Sequence, residues 1–347
     1  MFNNKILKTE TINYDDFGDF EPKSPKYNIN HCKKYFEDVK DILLENKEMF
    51  DKTYLFIIRP TTECKATDLY IKNKIKLLKK FNVKVSIIYN DYKENDIDKL
   101  INTIKYYMKK NKGYSFYYLL QKDYTINNFD FRYIYEGLNN AIKYNKLNLT
   151  DVEFLNPSYS NTPIFNLQLD AYQVSNIIGS YRNFIGKCLV GACTPVGAIN
   201  MLMYYNKIKH GDNCIVYGKS DILGRPLYDI LSQMGCTVLV FNSKSNQNIY
   251  DKILPDIDHI FLCMSSSNFF NSELYDKVNK DKCNIIDFGI TYDDGYLVGN
   301  ISKEVLESYS KTDMNNIITV TPSGTALSTL IQILINIYLN ECFIKNF

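Results

Sequence analysis

Apolar residues at Phe36, Val39, Ile42, Leu43 and Met49 fall at helical spacing and predict an amphipathic helix over residues 31–50. A continuous apolar run, Tyr54-Leu55-Phe56-Ile57-Ile58, then predicts a short buried strand closed by Arg59-Pro60. The pattern continues with a helix over 68–81, a strand over 83–89, a helix over 94–109 and a strand over 115–120. This alternation implies an open, largely parallel sheet. Residues 123–166, rich in Asn and Tyr, interrupt it and suggest one helix near 133–144. It resumes with a helix over 194–206, strands at 214–217, 237–241, 259–264 and 283–287, and a last strand near 317–320. An apolar helix follows from residue 325. Residues 1–28 are polar, end in Glu21-Pro22-Lys23-Ser24-Pro25 and read as a flexible extension. The chain thus reads as two α/β units joined near residue 175, with domains at 29–172 and 173–321 and a final helical segment at 322–347.

A length of 347 residues suits two domains. Hydrophobic content of 45% and charged content of 23% are ordinary for a soluble globular protein. A net charge of +2, with Lys spread along the chain, argues against a nucleic-acid partner. Nine Cys, widely spaced and without a Cys-x-x-Cys pair, read as reduced thiols. His31, His210 and His259 stand at no metal-ligand spacing, so neither a metal site nor a His-based triad is expected. The longest apolar stretch, 330–339, is half a membrane span and carries Gln332 and Asn336, so no membrane segment is expected. The first 28 residues carry four acids and no apolar run, unlike a targeting peptide. A cytoplasmic setting follows, with an organelle still compatible.

The strongest local signal lies at Cys214-Ile215-Val216-Tyr217-Gly218-Lys219-Ser220, with Gly224 after it. A strand running into Gly-x-Ser-x-x-x-Gly and a helix has the logic of a dinucleotide loop. Gly218 permits a tight turn, Gly224 a close helix, and the helix N-terminus offers N–H groups to a pyrophosphate. An ordinary turn between strand and helix accounts for an isolated Gly-x-Ser about as well. The next strand ends in Phe241-Asn242-Ser243-Lys244, with a hydroxyl and a cation where an NAD site usually carries an acid. With Lys219 nearby, the balance favours NADP over NAD.

Tyr70 and Lys74 stand four apart on one helix face. The spacing alone carries little, since Tyr106/Lys110, Tyr118/Lys122 and Tyr205/Lys209 repeat it. The surrounding segments carry more. They are 66–74 around Tyr70 and Lys74, then Leu119-Leu120-Gln121, Asp170-Ala171-Tyr172, Ala192-Cys193-Thr194-Pro195-Val196-Gly197, the glycine loop, and Ile285-Ile286-Asp287-Phe288-Gly289-Ile290. In this order, from about residue 30 to 340, the chain resembles the bifunctional methylenetetrahydrofolate dehydrogenase/methenyltetrahydrofolate cyclohydrolase family, as a divergent member.

The resemblance implies two Rossmann-like domains with a cleft between them and a C-terminal helix packing back on the N-terminal domain. Residues 29–172 with 322–347 would be the folate-binding catalytic domain, carrying an insertion at about 123–166, and 173–321 the NADP-binding domain. Tyr70 would stack on the folate's aminobenzoyl ring, Lys74 transfer the proton of ring opening, Gln121 hydrogen-bond Lys74, and Asp170 anchor the pterin edge. Leu120 and the late loop Pro322, Ser323, Gly324, Thr325 and Ala326 would line the substrate. Gly218, Lys219, Ser220 and Ser243 would hold the cofactor phosphates, with Thr194, Ser265 and Ile290 completing that site. The implied activity is NADP-dependent oxidation of 5,10-methylenetetrahydrofolate to the methenyl form and its hydrolysis to 10-formyltetrahydrofolate, by a homodimer.

The chain also departs from the family. Lys122-Asp123-Tyr124-Thr125 replaces Leu-Pro-Leu-Pro, and the Lys-Asp-Val-Asp-Gly-Phe-His tract is reduced to 167–173. The late loop Pro-Gly-Gly-Val-Gly-Pro-Met-Thr has become Pro322-Ser323-Gly324-Thr325-Ala326-Leu327-Ser328-Thr329, and Ser265 replaces a Gly. A relative with one activity lost, or a non-catalytic folate- or partner-binding protein, are the alternatives these changes leave open.

Overall fold

The computed structural model describes residues 27, 29–60, 65–90, 96–121, 131–145, 147–153, 185, 188–246, 249, 252–293, 296–312, 315–321 and 324–346. They belong to two compact units, one of residues 43–167 and 336–347, the other of 21–42 and 168–335.

The first unit is built on a parallel sheet of order β2-β1-β3-β4, with β1 Thr53–Arg59, β2 Lys84–Tyr89, β3 Ser115–Leu120 and β4 Leu149–Asp151. All seven residues of β1 are buried, as expected of an apolar run at the centre of a parallel sheet. Helices α2 (Lys65–Lys80), α3 (Asp96–Lys110) and α4 (Phe131–Asn145) intervene; α1 (His31–Leu44) precedes β1. Both α4 and β4 come from the Asn- and Tyr-rich segment, so part of that segment builds the sheet: Phe116 registers with Leu149 and Tyr118 with Asp151. The core joins Phe56, Ile58, Tyr118 and Leu120 of the sheet to Leu100, Ile104, Ile134 and Leu138 of the helices.

The second unit repeats the plan. Its sheet has the order β6-β5-β7-β8, with β5 Asn213–Tyr217, β6 Thr237–Phe241, β7 His259–Leu262 and β8 Asn284–Asp287, all parallel. Helices α5 (Cys193–Tyr204), α6 (Gly224–Gln233), α7 (Ser272–Lys277) and α8 (Lys303–Ser310) accompany it. A small hairpin of β9 (Thr291–Asp293) and β10 (Tyr296–Val298) follows β8. The strand expected near 317–320 is reduced to one parallel bridge, Ile285 with Ile318. In both sheets the chain steps from the first strand to one side and then crosses to the other. The C-terminal ends of β1/β3 and of β5/β7 are therefore switch points, where open parallel sheets bind ligands.

Helix α9 (Thr325–Asn346) explains its polar residues by what they reach. Within the second unit, Gln332 donates to Leu189 O at 3.0 Å and accepts from Asn200 Nδ2 at 2.8 Å. Within the first, Asn336 donates to Val152 O at 2.8 Å and Tyr117 OH donates to Glu341 at 2.8 Å. The C-terminal helix thus packs on the N-terminal domain. No helix among the described residues is long and apolar enough to cross a membrane.

One buried carboxylate organises the turns beyond β8. Asp287 accepts from Gly289 N and Asn300 Nδ2 on Oδ1, and from Asn300 N and Ile301 N on Oδ2, at 2.7–3.1 Å. Thr325 Oγ1 donates to its carbonyl at 3.0 Å. Burial pushes the Asp287 carboxyl up to about 6, outweighing the four N–H groups that pull the other way.

Two outcomes follow from this scaffold. A Cβ at Gly197 in α5 would stand 2.5 Å from Ser328 O and 2.8 Å from Ser328 C. Helix propensity favours Ala over Gly by about 1 kcal/mol, but overpacking against backbone costs about 1–3 kcal/mol. Gly197→Ala should therefore lower the urea midpoint, and a raised midpoint would show that α9 yields. For Asp287, a folded-state pKa above the unfolded value means that the folded protein holds the proton more tightly. The resulting stability is present at low pH and lost as pH rises from about 4 through 6, by up to about 3 kcal/mol. Measured against Asp287→Asn, whose amide does not titrate, the wild type's advantage should shrink over that range; a constant gap would refute it.

Candidate active site

In the first unit the candidate residues Tyr70, Lys74 and Gln121 meet where β1 and β3 end. Lys74, on α2, is 1% exposed at its side chain, with Nζ donating to Gln121 Oε1 at 3.0 Å and lying 3.3 Å from Glu153 Oε1. The Tyr70 ring, one helical turn earlier, has its centroid 4.5 Å from the same ammonium. Gln121 immediately follows β3, and its N–H donates to Ile58 O at 2.8 Å, which fixes it beside the end of β1. Leu120 is buried beneath it. A buried ammonium is costly unless paired and hydrogen-bonded. Here an amide oxygen, a carboxylate and a ring face together meet that need.

Glu153 was not anticipated. It follows β4, its N–H donating to Asp151 Oδ1 at 2.9 Å, while Asp151 is fully buried. The preceding carbonyl, Val152 O, is held by Asn336, and Val152 N donates to Tyr118 O at 2.9 Å. Asp170, assigned the acid's place in the sequence, lies outside the described residues, as do Pro322 and Ser323. The signal that points to Glu153 is Asp151-Val152-Glu153, which keeps the Asp-Val-acid core of the tract sought at 167–173 and stands nearer to Gln121 in sequence.

In the second unit the glycine loop follows β5 at its switch point with β7. Gly218 has φ +105°, a conformation that favours glycine, and a Cβ there would stand 2.5 Å from Cys263 O. Its N–H donates to Phe241 O at 2.7 Å. Ser220 then starts the turn into α6: its carbonyl accepts from Arg225 N at 3.0 Å and its Oγ from Gly224 N at 3.5 Å. Lys219 and Ser220 are exposed. Beyond β6, Asn242 and Ser245 close a turn, Ser245 N donating to Asn242 O at 2.9 Å and Ser245 Oγ accepting from Asn242 N at 3.0 Å. That turn presents Ser243 and Lys244 to solvent. Ser265 is also exposed, just past β7; Ile290 is 54% exposed, on the segment that Asp287 organises. Thr194 is half-buried in the first turn of α5, and Gly324, Thr325 and Ala326 open α9, with the Thr325 hydroxyl committed to Asp287 O. Among the described residues no group of three or more His, Cys, Asp or Glu is placed to hold a metal.

The chain is similar to known proteins in part of its sequence and in its fold. Residues 192–342 match the family model of the tetrahydrofolate dehydrogenase/cyclohydrolase NAD(P)-binding domain. The bifunctional protein FolD of Maridesulfovibrio salexigens is 32% identical over 170 residues, covering 46% of this chain and 56% of that protein. That of Campylobacter curvus is 29% identical over 167 residues, covering 46% and 54%. The chain thus spans about half the length of the curated relatives it matches. Among solved structures, the bifunctional FolD enzyme of Campylobacter jejuni superposes with a TM-score of 0.65 at 21% identity, covering 92% of this chain and 98% of that one. FolD of Trypanosoma brucei, solved with NADP cofactor and inhibitor, gives 0.64 at 14% identity, covering 94% and 100%. At these identities the likeness is one of fold. Residues 192–342 are thus similar in sequence to the tetrahydrofolate dehydrogenase/cyclohydrolase NAD(P)-binding domain, and most of the chain shares its fold with solved FolD structures.

Proposed function

We propose that the protein oxidises 5,10-methylenetetrahydrofolate with NADP and hydrolyses the methenyl product to 10-formyltetrahydrofolate, as a homodimer. The observation that carries this reading is the buried Lys74 ammonium set between Gln121, Glu153 and Tyr70. A side chain so enclosed is not a solubilising surface lysine. Its place at the end of a parallel sheet puts a proton carrier where a ligand is expected.

The cofactor loop fits NADP. Gly218 brings the backbone close to Cys263 O, and the exposed Lys219, Ser220, Ser243 and Lys244 lie past the ends of β5 and β6. Those groups attract a 2′-phosphate, where an acid would repel it. NADP, when bound, supplies the acceptor for the hydride that leaves the methylene carbon. In the ring-opening step, Lys74 Nζ holds and moves a proton at the water that attacks the methenyl carbon. Gln121 Oε1 orients that ammonium, and the Tyr70 ring offers an apolar face to the aminobenzoyl group. Glu153, rather than Asp170, takes the acid's role at the pterin edge. The Thr325 hydroxyl bond to Asp287 O supports tolerance of the altered late loop.

Absorbance at the NADPH and methenyl-folate bands, with methylenetetrahydrofolate and either cofactor, tests the whole reading. Reduced cofactor without methenyl-folate build-up is expected. Lack of turnover with both cofactors, and persistence of methenyl-folate added directly, would reject it in favour of a binding protein. Lys74→Ala should slow ring opening by about 10²-fold or more, the usual scale of general acid–base catalysis, and methenyl-folate should then accumulate. Lys219→Ala should weaken NADP about fivefold, as an exposed charge contributes about 1 kcal/mol or less, with NAD binding little changed; equal effects would remove the 2′-phosphate assignment. Glu153→Gln should raise the folate KM about tenfold, from loss of a charged hydrogen bond worth about 1.5 kcal/mol, whereas Asp170→Asn should not. The opposite ranking would return the role to Asp170.

A further inference from the structure

The last residue of β1 is a charge in a buried place. Arg59 is 3% exposed, at the end of a strand otherwise made of Thr53, Tyr54, Leu55, Phe56, Ile57 and Ile58. Its Nη1 donates to Asp68 in the first turn of α2, its Nε donates to Pro60 O at 3.2 Å, and its guanidinium lies 5.6 Å from the Tyr89 ring centroid at the end of β2. A buried ion pair is weak evidence for stability, because apolar residues of similar volume often serve as well or better. What such a pair supplies is direction, and its direction here is informative.

The end of β1 is shared by both halves of the arrangement. Ile58 O accepts from Gln121 N at 2.8 Å, and the Arg59 carbonyl accepts from Asn90 N at 2.8 Å. Gln121 is the residue that receives the Lys74 proton donor. Helix α2 therefore touches this edge twice. One contact is Asp68 on Arg59; the other is Lys74 on Gln121 and Glu153. Six residues separate Asp68 from Lys74, about 9 Å along a helix at about 1.5 Å per residue. Two directional contacts that far apart fix the helix's tilt and its position along the axis together. The buried apolar face of α2, with Ile71, Ile75 and Leu78, holds the helix to the sheet, and the two polar contacts add direction to that packing.

We infer that Arg59 and Asp68 are positioning residues, whose ion pair seats α2 on the sheet edge and so sets Lys74 against Gln121 and Glu153. Asp68 is 28% exposed at its side chain, so it can be rehydrated when Arg59 is replaced. Its pairing is therefore a choice of geometry rather than a necessity of burial. The inference rests on the folate-enzyme reading for its kinetic consequence. Its geometric consequence does not depend on that reading.

The test uses Arg59→Met, which keeps length and apolar volume; Asp68→Asn serves if that variant does not fold. Arg59→Lys is the conservative control. Leu138→Ala, in α4 of the same core, serves as a destabilised control away from α2. Each full-length protein is treated with formaldehyde and dimethylamine–borane, and methylation of Lys74 is read by mass spectrometry against exposed Lys76 on the same helix. In the wild type Lys74 should be protected. Arg59→Met should raise its relative methylation about tenfold, Arg59→Lys should recover part of the protection, and Leu138→Ala should leave it unchanged. In parallel, kcat for methenyl-folate hydrolysis should fall about 10²-fold in Arg59→Met, the scale of a displacement near 1 Å, while the KM for NADP stays constant. Unchanged protection of Lys74 in Arg59→Met, or equal loss of it in Leu138→Ala, would overturn the positioning role. If the wild type does not hydrolyse methenyl-folate, the functional reading fails, and the methylation comparison still decides the role of Arg59.

Discussion

An ammonium taken out of water must be answered on every side, and much of the first unit follows from answering Lys74. An amide oxygen comes from the residue after β3, so Gln121 has to lie against β1, and its N–H bond to Ile58 O holds it there. A carboxylate must come from a further element, and β4 exists at three residues' length to deliver it. That strand is too short to stand by its own pairing. It is held from outside the sheet by Asn336, which takes Val152 O, and from within by Asp151, which caps the Glu153 N–H. Asn336 of the C-terminal helix is thus part of the electrostatic support of a lysine far away in sequence. Without it the carboxylate would be less firmly held and the ammonium less well compensated.

The second unit meets the converse problem. Asp287 is a buried anion answered only by N–H groups, with no cation among the contacts described above. Dipoles without a counter-charge leave the carboxyl raised by burial, yet they tie the turn at Gly289 and the segment Asn300–Ile301 to the end of β8. The arrangement suits a scaffold whose task is to hold loop shape. A paired lysine suits a site whose task is to move a proton. The exposed cations Lys219 and Lys244 do neither; solvent screens them, so each acts only at small energies.

What was legible in the sequence follows from the same physics. Central strands such as 54–58 and 214–217 are buried on both faces, so their apolar runs announce them, and both were placed to within a residue or so. The glycine loop was legible because its demand is local: a turn at positive φ beside Cys263 O admits little but Gly218. Tyr70, Lys74 and Gln121 were found through resemblance, since Tyr-x-x-x-Lys recurs elsewhere by chance. Glu153 was missed because β4 has no apolar run to mark it. Its acid is also one methylene longer than the Asp of the family tract, which Asp170 matches by residue type. The last expected strand, 317–320, shrank to a bridge because Thr319 Oγ1, which accepts from Asp287 N, answers there a donor that a neighbouring strand would otherwise pair.

The uneven reach of similarity has a structural cause. The matched family model covers 192–342, the part shaped largely by backbone constraints: a glycine turn, a helix start, a carboxylate that gathers N–H groups. Backbone work of that kind tolerates few substitutes, since an added Cβ meets a carbonyl at 2.5 Å. The first unit works through side chains, and side chains can be exchanged when geometry is kept by other means. A Glu can stand where an Asp is sought if β4 is shifted to suit. An Arg can hold a helix by an ion pair with Asp68 where another chain could use another contact. The likeness of fold therefore extends over a larger share of the chain than the recognisable likeness of sequence does.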